Sequence, residues 1–192
     1  MKTLKNLNPV LFFPIVALSF YCCTGNKGDK TELQGADTDN LYIGWASEDI
    51  TPDKPVILRG QFHARITEEI MDPVTSTALA LEYNNGISSE KVIMISCDLV
   101  TISDDLRDTV RGLLKKSLPD LLSQQIILNA THTHSGPQYS GSNEVSKESL
   151  DNTSETSDIK SVYGIELNAM EFSECLAFIS GRIAKAAKQA WK

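Results

Sequence analysis

The chain has 192 residues, a formal net charge of −7 and 41% hydrophobic residues, which is enough for the core of one ordinary domain. Its acidic balance, with no basic cluster beyond Lys115 and Lys116, argues against nucleic acid as the main partner. The hydrophobic content also excludes a wholly disordered chain.

Residues 1–24 have the pattern of an export leader. Two lysines precede an apolar stretch over residues 10–21, which is shorter than the roughly 20 apolar residues of a membrane span. Cys22 and Cys23 follow at once, so we expect lipid attachment to one of these thiols, as in bacterial lipoproteins. Bulky residues before the cysteines leave plain secretion open, and an uncleaved anchor is a further alternative.

Polar residues 25–40 predict a flexible linker between this leader and a folded domain over residues 41–192. The chain is therefore expected to be exported to the periplasm or outer membrane. A lipid at its N-terminus would hold it to the membrane, unless the chain is secreted.

The first half of the domain predicts strands. Residues 41–46 contain strand formers, and the prolines that follow position 49 break the pattern. Residues 74–83 alternate in part and read as a strand. Residues 91–97 are continuously apolar, which is typical of a strand buried on both faces. The Asn-Asn-Gly turn at 84–86 indicates that these two strands pair as a hairpin.

A helix is predicted next, with Ser103 or Asp104 as its N-cap and Pro119 after its end. Residues 125–130 then form another apolar strand. Strand, helix and strand make a βαβ unit, so the expected class is α/β, a mixed sheet built from a β-hairpin and a βαβ unit with helices packed on it. The helix carries one apolar stripe, formed by Leu106, Val110, Leu113 and Leu114.

The C-terminal part predicts a polar loop over residues 138–158 and a helix over residues 168–192. Cys97 and Cys175 lie in apolar contexts, and buried free thiols are the expected state. A disulfide formed after export is the alternative. The apolar face of the helix consists of Phe172, Cys175, Leu176, Ile179, Ile183, Ala186, Ala187 and Ala190.

His132 and His134 follow the strand over residues 125–130. In an extended backbone, residues i and i+2 point to the same side, so both imidazoles are predicted to face one pocket. Such a pair suits metal binding or proton transfer, and the alternative is a surface loop that hydrogen-bonds its own backbone. Asp98 ends the neighbouring strand, where it could orient one of these histidines or accept bonds from backbone N–H groups.

Three motifs together resemble the N-terminal domain of the neutral/alkaline (non-lysosomal) ceramidases, and related uncharacterised bacterial lipoproteins. They are Asp-Ile-Thr-Pro at 49–52, Ser-Cys-Asp-Leu at 96–99 and Asn-Ala-Thr-His-Thr-His-Ser-Gly-Pro at 129–137. The resemblance spans about residues 42–191. It implies a partial ceramidase-type catalytic domain, a zinc cofactor, and hydrolysis of the N-acyl amide bond of a ceramide-like lipid.

The resemblance also implies roles for two residues. His132 maps to the first zinc ligand, and His134 to the histidine that contacts substrate and stabilises the developing oxyanion. The family's other ligands, a histidine in an Ile-His-Pro-like segment, a glutamate and a tyrosine, have no counterpart in this sequence.

A catalytic zinc uses about three protein ligands. We therefore expect a truncated domain that is inactive alone. The alternatives are a non-catalytic surface binding lipoprotein that keeps the fold, and a metal-free hydrolase with His134 as general base.

Overall fold

The computed structural model describes residues 39–141 and 158–192. The predicted leader, residues 25–38 of the predicted linker, the lipidation candidates Cys22 and Cys23, and residues 142–157 of the predicted loop lie outside the described residues. Among the described residues, none of the helices combines the length and the hydropathy of a membrane span.

Within the described residues, four strands form one mixed sheet in the order β1-β2-β3-β4. They are β1 (Asn40–Asp49), β2 (Thr75–Asn84), β3 (Ser89–Cys97) and β4 (Ile126–Ala130). β2 is antiparallel to both β1 and β3, whereas β4 runs parallel to β3. The predicted hairpin, βαβ unit and α/β class are therefore confirmed.

Helix α1 (Asp104–Ser117) connects β3 to β4, and its N-cap is Ser103, whose hydroxyl oxygen accepts a bond from the backbone N–H of Leu106 at 3.2 Å. Two further helices, α2 (Ile159–Tyr163) and α3 (Phe172–Ala190), follow the undescribed residues. In the predicted apolar stripe of α1, Leu106, Val110 and Leu114 are buried and Leu113 is half-buried.

The core lies between one face of the sheet and the helices α1 and α3. Cys97 and Cys175 are free and buried within it, and burial raises the pKa of Cys97 to about 11 and that of Cys175 to about 12. The last turn of α3 lies directly on β1, so that a Cβ added at Gly44 would overlap the carbonyl oxygen of Ala190. The buried residues of α3 are Phe172, Cys175, Ile179, Ser180, Ile183, Ala184, Ala186, Ala187 and Ala190.

The prediction that β3 is buried on both faces is wrong. Ile93 and Ile95 are fully buried beneath the helices, but Met94 between them is 46% exposed. Met94 belongs to a row of paired residues that crosses all four strands on the opposite face. The other members are Trp45, Leu79 and Ile127, with exposures of 74%, 37% and 44%. The described helices therefore cover one face of the sheet, and this row lies on the other.

Candidate functional site

The histidine segment, residues 131–137, begins where β4 ends. The backbone N–H of Thr131 donates to the carbonyl oxygen of Cys97 at 2.9 Å, and that of His132 donates to Leu99 at 3.0 Å, which continues the pairing beyond both strands. His132 has a φ of +65° and is the one non-glycine residue with a positive φ among the described residues. The extended backbone assumed for positions 132–134 is therefore wrong, because the chain turns at His132.

The imidazole of His132 is oriented by a backbone carbonyl. Its Nδ1 lies 2.8 Å from the carbonyl oxygen of Val100. A carbonyl oxygen only accepts, so Nδ1 must carry the proton of this bond. In the neutral ring Nε2 then carries no proton, and its lone pair can bind a metal or accept a proton.

The imidazole of His134 has a similar arrangement with a different carbonyl. Its Nδ1 lies 2.9 Å from the carbonyl oxygen of Gly60, a residue 74 positions away in sequence. The rings of His132 and His134 meet edge to face, with their centroids 5.1 Å apart and their planes at 77°. The structure therefore brings the two exposed histidines together, as predicted, through a turn and two carbonyl bonds.

Residues 57–61 bind along the histidine segment and set its position. Ile57 accepts a bond from the backbone N–H of Gln138 at 2.7 Å, and Arg59 donates its backbone N–H to the carbonyl of Gly136 at 3.1 Å. The side-chain amide of Gln61 donates to the carbonyl oxygen of His134 at 3.2 Å. Sequence reasoning missed this role, and the one local signal for it was the isolated Gly60.

The carboxylate of Asp98 makes no hydrogen bond to either imidazole. Its Oδ2 accepts from the backbone N–H and the hydroxyl of Thr75, each at 2.9 Å. Its Oδ1 accepts from the hydroxyl of Thr131 at 3.2 Å. The hypothesis that Asp98 orients a histidine directly is therefore corrected, because the carbonyls of Val100 and Gly60 take that place. Asp98 instead accepts a backbone N–H bond, as the alternative interpretation held.

The residues just after the histidine segment are buried, although the sequence predicted a polar loop there. Gln138 and Tyr139 are each 3% exposed. The Tyr139 hydroxyl donates to the carbonyl of Thr101 at 2.7 Å and accepts from the backbone N–H of Ser103 at 3.0 Å. Burial raises the pKa of Tyr139 above its usual value. These bonds tie the histidine segment to the start of α1.

A cavity of about 490 Å³ lies beside the histidine segment. Thr51, Leu58, Arg65, Ser135 and Pro137 are among its lining residues, but His132 and His134 are not. This cavity therefore does not lie between the two imidazoles, where the sequence predicted a pocket. Ser135 and Pro137 are the segment's contribution to that cavity.

The described residues do not by themselves make a catalytic zinc site. No group of three or more His, Cys, Asp or Glu side chains within residues 39–141 and 158–192 is arranged to hold a metal ion. The histidine pair offers two Nε2 atoms, whereas a catalytic zinc uses about three protein ligands and a water.

This chain matches known proteins in the comparison with solved structures, but not in the comparisons of sequence. No protein-family model and no curated protein matches the sequence. A crystal structure of neutral ceramidase from Pseudomonas aeruginosa matches with a TM-score of 0.57 and 20% identity, covering 81% of this chain and 22% of that one. The fold resembles part of a neutral ceramidase. A structure described as ceramidase complexed with C2 matches with a TM-score of 0.54 and 20% identity, covering 79% of this chain and 21% of that one.

The ceramidase-like fold expected from the three motifs is thus confirmed. Identity of 20% shows the fold alone, and the chain spans about a fifth of the length of these ceramidase structures. Zinc dependence, the substrate and the roles of His132 and His134 stay predictions.

Proposed function

We propose that the chain is the histidine-bearing part of a ceramidase-like amidohydrolase, which hydrolyses the N-acyl amide bond of a ceramide-like lipid. The observation that supports this proposal is the meeting of His132 and His134, with ring centroids 5.1 Å apart, beyond the carboxyl end of β4. In open α/β sheets the ligand sites lie beyond the carboxyl ends of strands. The likeness to neutral ceramidase points in the same direction.

His132 is proposed as a zinc ligand. A histidine that binds a metal through one ring nitrogen commonly donates the N–H of the other to a carbonyl or a carboxylate. The bond from Nδ1 of His132 to the carbonyl oxygen of Val100 has this form. It leaves Nε2 as the atom available for the metal.

His134 is proposed to act on the substrate through Nε2. Because Nδ1 donates to Gly60, the neutral ring can only accept at Nε2. It can therefore take a proton there, and it donates to a developing oxyanion only after that proton is bound. Proton uptake by His134 would thus precede its bond to the oxyanion.

Two histidines fall short of the ligand set of a catalytic zinc. We therefore propose that the described residues alone do not sustain hydrolysis. Zinc titration by calorimetry tests the ligand assignment, with His63→Ala as the matched histidine control. We expect weak zinc binding in the wild type and in His63→Ala, and none in His132→Ala.

An amide-release assay with a short-chain ceramide and added zinc tests the second part, and no release is expected from this chain. Zinc binding that is unchanged in His132→Ala would contradict the ligand role. Rapid amide release that needs neither histidine would overturn the proposed site.

Export and lipid anchoring through Cys22 or Cys23 are also proposed. Their support is the leader pattern of residues 1–24 alone. A lipid anchor would hold the domain at a membrane, where a ceramide-like substrate resides.

A further inference from the structure

We propose that Gly60 is a positioning residue for His134. Its missing side chain makes room for the imidazole, and its carbonyl oxygen holds that ring in the Nδ1–H tautomer. The importance of this for catalysis rests on the proposed function, but the arrangement itself requires neither zinc nor substrate.

The space at Gly60 is occupied by the ring of His134. A Cβ built on Gly60 would lie 2.6 Å from Nδ1 and 2.7 Å from Cγ of that ring. Both distances are shorter than real Cβ contacts, so one partner must move. The obstructing atoms belong to an exposed side chain, so we expect the ring to leave its place while the fold remains.

The carbonyl of Gly60 has a fixed position relative to the backbone that carries His134. On one side, the backbone N–H of Arg59 donates to Gly136 at 3.1 Å. On the other side, the side-chain amide of Gln61 donates to the carbonyl oxygen of His134 at 3.2 Å. The two bonds flank Gly60, so its carbonyl oxygen is held where Nδ1 of His134 can donate to it.

The consequence concerns which nitrogen of His134 carries the proton. The partner of one ring nitrogen decides the tautomer of a neutral histidine. With Nδ1 donating to Gly60, the lone pair is on Nε2. A ring displaced from Gly60 loses the bond that favours the Nδ1–H tautomer. The proton can then lie on Nε2, which would no longer be an acceptor.

Gly164 provides a matched control. Gly60 has a φ of +87° and Gly164 a φ of +73°, so alanine meets the same kind of backbone strain at both positions. A Cβ at Gly164, however, meets no heavy atom within 4 Å. The difference between Gly60→Ala and Gly164→Ala is therefore the contact with His134.

The experiment is nitrogen NMR of the full chain labelled with ¹⁵N-histidine, at about pH 8, where imidazole is mainly neutral. The chain has three histidines, so His63→Gln and His132→Gln assign the signals. In the wild type and in Gly164→Ala, we expect Nδ1–H signals from His132 and His134. In Gly60→Ala, His134 should lose this signature while His132, which donates to Val100, keeps it.

Three results would overturn the proposal. The first is a wild-type His134 in the Nε2–H form, which needs no variant to observe. The second is an unchanged His134 signal in Gly60→Ala. The third is loss of the fold in Gly60→Ala but not in Gly164→Ala, monitored by circular dichroism, which would make Gly60 purely structural. Because no signal depends on zinc or amide release, the proposed function can fail while this result stands.

Discussion

Asp98 and Thr75 are joined by three hydrogen bonds, with each residue both donating and accepting. The backbone N–H of Asp98 donates to the carbonyl of Thr75 at 2.9 Å, and the Asp98 carboxylate accepts the backbone N–H and the hydroxyl of Thr75. The same carboxylate accepts the hydroxyl of Thr131. Asp98 therefore connects the start of β2, the end of β3 and the segment that leads to His132.

Asp98→Ala should lower the free energy of unfolding by about 1–3 kcal/mol, because a part-buried N–H of Thr75 loses its acceptor. Asp98→Asn keeps one acceptor oxygen and should lose less. Urea denaturation measures both effects. The histidine tautomers serve as the control and should not change in either variant, since Asp98 makes no hydrogen bond to either ring. A changed His132 tautomer would contradict the orienting role of Val100.

The left-handed backbone at His132 predicts an unusual order of stability. His132→Ala and His132→Gly both lose the bond to Val100, but alanine at φ +65° is strained by about 1 kcal/mol relative to glycine. His132→Gly should therefore be the more stable variant in urea denaturation. The same pair at His134, whose φ is not positive, should show the reverse order. The same order at both sites would refute the backbone explanation.

Gly136 and Gly112 should respond oppositely to alanine. A Cβ at Gly136 would lie 2.7 Å from the carbonyl oxygen of Asp98, a backbone atom that cannot swing away, so we expect a loss of about 1–3 kcal/mol. Gly112 lies inside α1 with no heavy atom within 4 Å of its Cβ position. Gly112→Ala should gain about 1 kcal/mol from helix propensity. Thermal and urea denaturation would both detect a difference of this size.

The buried thiol of Cys97 should make the fold less stable in alkaline solution. Burial raises its pKa from 9.0 to about 11, so the folded state keeps a proton that the unfolded state has already released. This contribution to stability is complete below pH 9 and is lost as the pH rises towards 11. Cys97→Ala should therefore flatten the decline of the unfolding free energy over that interval. Equal slopes in wild type and variant would contradict this role of Cys97.

Cys22 and Cys23 are predicted lipidation sites. Cells that produce the chain and are fed an alkyne fatty acid should label the wild type, and the labelled protein should sediment with membranes. Removal of the modified cysteine, in Cys22→Ala or Cys23→Ala, should abolish both the labelling and the sedimentation with membranes. Cys175→Ala is the matched control, because its thiol is buried in the core. Label that persists when Cys22→Ala and Cys23→Ala are combined would exclude both residues as lipidation sites.

Local features of the sequence were sufficient to predict much of the fold. The cap at Ser103 and the spacing of Leu106, Val110 and Leu114 depend on neighbours within one helix. The βαβ unit follows from the order of elements and the handedness of such connections. Exposure of Met94 was not predictable in this way, because an apolar run does not reveal which face the helices cover.

The candidate site was predicted in part. The motif placed two histidines beyond β4, and the structure brings their rings together. The carbonyl partners were not predictable, since Gly60 is 74 residues from His134 and the Val100 bond requires the turn at His132. Bonds between distant backbone atoms leave no residue-type pattern in the sequence.

The close approach of Gly44 to Ala190 affects the order in which the domain can be assembled during synthesis. Gly44 lies in the first strand of the sheet, and Ala190 ends the helix that covers it. Until the ribosome has released α3, this helix cannot cover the inner surface of the strands. Contacts of this sequence separation form slowly, so the inner surface of the nascent strands stays uncovered by α3 until late in folding.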